Sequence, residues 1–149
     1  MNNNMKHNTN HTANHNIVMF VIMILSGLLS TMNIWIDKLD DFRFHLNDLY
    51  MILLMTGWMF LFMGLFYMQM SQIAFGGILV IIMLYCIRNQ LFITEGQYIA
   101  GMIPHHSMAV LMSKRLLEKD LQLKDDIKYL AKSIIESQEK EIKLMKKNE

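Results

Sequence analysis

Charge is what the first ninety residues have least of. Residues 17–36, 49–68 and 73–87 hold almost no ionisable side chains, which ill suits them to a soluble core. The first two have the ~20 apolar residues that a helix needs to cross a hydrocarbon layer, and the third is shorter. Cysteine is nearly absent: Cys86 alone excludes an internal disulfide framework, leaves the redox compartment open, and reads as apolar filler. No Glu-x-x-His occurs, which argues against carboxylate-bridged diiron chemistry. No His-Glu-x-x-His occurs either, so hydrolytic zinc is weak, with only Glu141 to serve as base. Neither a Gly-rich phosphate loop nor a Ser or Cys nucleophile with a positioned base is present, so the chain reads as a binder and not an enzyme. The formal net charge is +1, and after residue 90 ten basic residues interleave with nine acidic ones. That pattern describes a solvated helix face and gives no case for nucleic acid.

What is present in excess is methionine, 16 residues in 149. Residues 1–16 are Asn-rich, carry His7, His11 and His15 four apart, and are expected to be a disordered tail that could hold a metal only loosely. Residues 17–36 read as a retained span, too long and too weakly preceded by positive charge for a plain signal peptide. Ser26 with Ser30 and Gly27 with Thr31 offer small residues for close packing by another span. The polar link at 37–48 should sit in water or among headgroups. In the second span Met51, Met55, Met59 and Met63 repeat every four residues along about 18 Å of helix. Adaptable packing is favoured for them over a copper path. Residues 69–72 should turn the chain back into an antiparallel hairpin with the third span, where Gly76 and Gly77 permit close contact. The domains expected are thus 1–16, 17–92 and 93–149.

The chemistry concentrates in residues 101–112, Gly-Met-Ile-Pro-His-His-Ser-Met-Ala-Val-Leu-Met. Imidazole nitrogen and thioether sulfur together favour soft ions, Cu(I) above all. Met102 and His106 share a helix face at i,i+4, as do Met108 and Met112, and His105 stands two turns from Met112. Thr94 with Gln97 fits a capping box that starts this helix, and Pro104 inside it predicts a kink beside the imidazoles. A second helix shows an apolar stripe, Ile127, Leu130, Ala131, Ile134, Ile135, Ile142 and Met145, interrupted by Gln138.

Two patterns carry a resemblance: Met102-Ile103-Pro104-His105-His106 with Ala109 and Met112, and Gln138 with Glu141, Ile142 and Met145. On them the last 55 or so residues resemble the domain of unknown function 305 family, ferritin-like helical domains that include CopM-like copper-binding members. The resemblance implies copper or related metal binding by Met and His, with a membrane-anchored member here. With a turn at 120–123, His105 falls level with Gln138, Met102 with Glu141 and Met112 with Ala131. Gln138 would then accept a hydrogen bond from an imidazole and Met145 would close the site.

The expected architecture is all-α: three transmembrane helices, then an antiparallel helical hairpin, a ferritin-like half bundle. A hairpin of about 50 residues has little core of its own, so a homodimer should complete a four-helix bundle. The expected metal donors and their orienting partner are Met102, His105, His106, Met108, Met112, Gln138 and Met145, with copper ion bound for capture or buffering. The competing expectation is a structural or interaction membrane protein whose methionines only pack. Lys6 on one side against Lys38, Arg43 and Arg88 on the other puts the C-terminal domain in the cytoplasm by charge. The resemblance implies an extracytoplasmic one and is followed.

Overall fold

The computed structural model describes residues 3–119 and 122–149, with side chains from Asn14 onward. Among the described residues all regular structure is helical: α1 Asn3–Leu29, α2 Leu46–Phe66, α3 Met70–Asn89, α4 Glu95–Glu118 and α5 Asp125–Lys147, with 3-10 turns at Met32–Trp35 and Leu39–Asp41. Three stretches are long and apolar enough to cross a membrane, Asn14–Trp35, Leu46–Phe66 and Met70–Asn89. The chain divides into two units, Met1–Leu29 with Leu49–Gln90, and Ser30–Asp48 with Leu91–Glu149.

Several boundaries differ from expectation for local reasons. α1 begins at Asn3, inside the segment expected to be a disordered tail; extending an existing helix adds a hydrogen bond per residue without a new nucleation cost. Met1, Asn2 and the side chains of His7 and His11 lie outside the described residues. At its other end α1 stops at Leu29, short of the expected 36. There Asn33 leaves the apolar run: its Nδ2 donates to Arg43 O at 2.8 Å, and its Oδ1 accepts from Arg43 N at 3.0 Å. α2 starts at Leu46, three residues early, because Gln97 Oε1 accepts the Leu46 N–H at 2.6 Å and satisfies a donor of the first turn. Gln97 is thus only half of the expected capping box. Its own N–H donates to Thr94 Oγ1 at 3.4 Å, while its side chain is spent on α2.

In the first unit, glycine sets how closely the helices approach. A Cβ on Gly76 of α3 would collide with Leu61 N and lie 2.7 Å from Gly57 O, and one on Gly64 would lie 2.7 Å from Ile73 N. These pairs run in opposite chain directions, so α2 and α3 are antiparallel. Gly77 meets nothing within 4 Å, so only Gly76 of the expected pair makes close contact. The turn between them is earlier than 69–72: Met68 takes φ 54°, Gln69 N donates to Gly64 O at 2.8 Å, and Met70 is already helical. Gly27 of α1 is buried where a side chain would meet Ile52 of α2. Of the four small residues expected to form a packing face, Gly27 meets α2, Ser26 and Ser30 are exposed, and Thr31 lies beyond the end of α1. Met51 and Met55 point outward, and Cys86 is buried and free.

In the second unit α4 and α5 pack through Ile99, Ile103, Val110 and Ile142, flanked by Ile135 and Met145. α4 continues unbroken through Pro104, which is fully buried. The link between the first two apolar helices packs against this hairpin. Asp41 is 2% exposed and accepts from Ser107 Oγ at 2.5 Å, and Ser107 Oγ in turn accepts the Asp37 N–H at 2.8 Å. Lys146 Nζ lies 2.7 Å from Asp41 Oδ1, and Lys114 bridges Asp37 at 2.8 Å and Glu139 at 3.0 Å. Arg43 pairs with Glu149. The hairpin therefore has a cover supplied by its own chain.

Candidate functional site

α4 is organised by what each side of it meets. At 100° per residue, Ile99, His106, Val110 and Ile103 fall within about a 60° arc, and all four are buried. Ser107 lies next to that arc, towards the inter-span link that it binds. His105, Met108 and Met112 form a second stripe pointing elsewhere: His105 and Met112 are exposed and Met108 is half-buried. The two imidazoles consequently occupy different environments, with ring centroids 6.2 Å apart and planes tilted by 57°. Met102, half-buried, shares the side of His106.

His106 faces α5. Its Nδ1 stands 3.0 Å from Glu141 Oε2, in ion-pair range but out of line for a hydrogen bond. Burial pushes the imidazole below its ordinary pKa, against the upward pull of Glu141, and nearby His105 adds to the depression. The ring is therefore neutral at pH 7, the form that binds metals. Gln138 Oε1 is buried and has no hydrogen-bond partner. The bond expected from an imidazole to Gln138 is not formed, and Glu141 occupies the position beside the ring. Glu141 was expected level with Met102, one turn earlier on α4. The backbone is extended at Lys119 and at Lys124. Asp120 and Leu121, half of the expected turn, lie outside the described residues.

Met145 packs against the apolar core of the hairpin. Among the described residues no three His, Cys, Asp or Glu side chains converge as a metal cluster, so any soft-ion site must draw on thioether sulfur as well. Two features escaped the sequence. The His45 side chain is 6% exposed, packed beside Gly101, with Nε2 3.3 Å from Asp48 Oδ2 and Nδ1 unpartnered. A cleft of about 250 Å³ opens beside the Asp41–Ser107 contact, bordered by Asp37, Lys38, Glu139 and Lys143. Of its carboxylates, Asp40 and Asp41 pair with Lys146, and Asp37 and Glu139 pair with Lys114; nothing local in the sequence brings residues 37–41 to residues 139–146.

Comparison with known proteins adds lineage. The chain is 43% identical over 136 residues to Uncharacterized protein L153 of Acanthamoeba polyphaga mimivirus, an alignment covering 86% of each chain. No solved structure matches. The family model Domain of unknown function (DUF305) matches residues 90–148, the stretch holding α4, α5 and both motifs. The chain belongs to the DUF305 family.

Proposed function

We propose that this is an integral membrane protein whose DUF305 hairpin captures or buffers a soft metal ion, Cu(I), as cargo. The observation that carries the reading is His106: a nearly buried, neutral imidazole whose Nδ1 has no aligned hydrogen bond, one atom of it 3.0 Å from a carboxylate. An unsatisfied buried polar atom costs about 1–3 kcal/mol, and an ion on the imidazole would offset it. Met102 on the same side supplies thioether sulfur, and Glu141 and Gln138 would orient or complete the donor set. His105, Met108 and Met112 supply an exposed stripe at which an ion is first taken up. The hairpin binds and does not turn over substrate. The three apolar helices hold it at a membrane, with the hairpin on the extracytoplasmic side. A second copy would cover Ile127, Leu130 and Met112, three of the apolar side chains that the hairpin leaves exposed.

The test is anaerobic titration of the full chain in detergent micelles with Cu(I) against a chromophoric chelator. One ion held at sub-micromolar affinity, lost in His105→Ala/His106→Ala, is the expected result. A wild type that competes no better than the double variant sinks the reading. The second reading, a structural membrane protein, is favoured by the outward turn of His105 and Met112 away from His106, and that same outcome would select it.

A further inference from the structure

The first unit contains a groove of about 300 Å³ between α1, α2 and α3. Its body is apolar, formed by Ile17, Phe20, Phe60 and Phe75, with the last two rings packed edge to face at 5.2 Å. Its remaining lining is polar and uncharged: Asn16, Ser71 and Gln72. Asn16 stands near the start of the apolar stretch Asn14–Trp35 and Gln72 near the start of Met70–Asn89. These polar residues thus come from the ends of spans, where a bilayer places its headgroups, and the aromatic body extends into the spans.

Gln72 gives the groove its chemistry. Its Nε2 donates to Asn16 Oδ1 at 2.7 Å, and its Oε1 is buried without a hydrogen-bond partner in a residue 8% exposed. Where lipid replaces water, a carbonyl oxygen left this way is costly, so a donor is wanted and it must arrive with a hydrophobic companion. With no charged lining residue, recognition would rest on hydrogen bonding instead of net charge. We propose that the groove is a lipid site that seats an acyl chain along Phe20, Phe60 and Phe75 and receives the ammonium N–H of phosphatidylethanolamine at Gln72 Oε1. Phosphatidylcholine carries the same net charge and has no N–H to give. The inference rests on the reading that these helices cross a bilayer, and it is independent of copper.

The experiment reconstitutes the full chain into nanodiscs of equal phosphatidylethanolamine and phosphatidylcholine, then counts the lipids retained after mild detergent release by native mass spectrometry. Wild type is expected to retain phosphatidylethanolamine over phosphatidylcholine by roughly tenfold, the value of one satisfied buried acceptor. Gln72→Leu, which replaces an unsatisfied polar group by an apolar one of similar size and should fold, is expected to abolish the preference. Phe75→Ala should lower the retention of both lipids. Equal retention by wild type overturns the site, as does an undiminished preference in Gln72→Leu. A chain that stays in the aqueous fraction without entering nanodiscs overturns the membrane reading itself, and the site with it.

Discussion

Glu141 Oε2 stands 3.0 Å from His106 Nδ1, joining the second DUF305 motif to the first across the α4–α5 hairpin. The contact puts the Glu141 carboxylate beside the imidazole, where the proposed site would use it to orient the ring or complete the donor set. Outer partners of this kind are worth about 10–100-fold in metal affinity. Glu141→Ala should therefore weaken Cu(I) binding by about that factor in the chelator titration, with the hairpin still helical by circular dichroism. Unchanged affinity would remove Glu141 from the site.

The apo chain should lose stability on acidification. His106 has its pKa lowered in the fold, chiefly by burial, so between that value and the ordinary 6.5 the unfolded chain binds more protons than the native one. Stability is then fullest above pH 6.5 and falls as the pH drops through the folded-state value. Thermal melts in detergent from pH 8 to 5 should show this decline, and His106→Asn should flatten it. A variant with the wild-type slope would assign the pH dependence to another group, with His45, also lowered by burial, the next to substitute.

Much of this was legible because it rests on local patterns. The three apolar runs, the Thr94 cap and the amphipathic stripe of α5 each follow from spacing within one segment. Asn33, Gln97, Ser107 and Asp41 were not legible in that way, since their partners lie 10 to 66 positions along the chain and no local period marks them. The contact of His106 with Glu141 was not legible for a related reason: it joins two helices, and no period within either one sets which residues meet.

The α2–α3 hairpin supplies an internally controlled pair of substitutions. Gly76→Ala puts a methyl group against the backbone of Leu61 and Gly57, atoms that can move only if the helices separate. Overpacking of this kind costs about 1–3 kcal/mol. Gly77→Ala meets open space and gains up to about 1 kcal/mol of helix propensity. Unfolding in mixed micelles should rank Gly77→Ala at or above wild type and Gly76→Ala below it. The reverse order would mean that the two helices do not meet at Gly76.

Ser107 tests whether the inter-span link is a working part of the DUF305 hairpin. Its Oγ donates to the buried Asp41 carboxylate and accepts the Asp37 N–H, so Ser107→Ala leaves a charged acceptor and a backbone donor short of a partner. The cost should be about 1–3 kcal/mol. Asp41 keeps Lys146 at 2.7 Å, and that remaining ion pair should hold the loss within this range. In Asp41→Ala/Ser107→Ala the loss should be smaller than the sum of the single losses, because each substitution removes the same hydrogen bond. Strict additivity in the melts of the three variants would show that Asp41 and Ser107 act separately, and that the link merely lies beside α4.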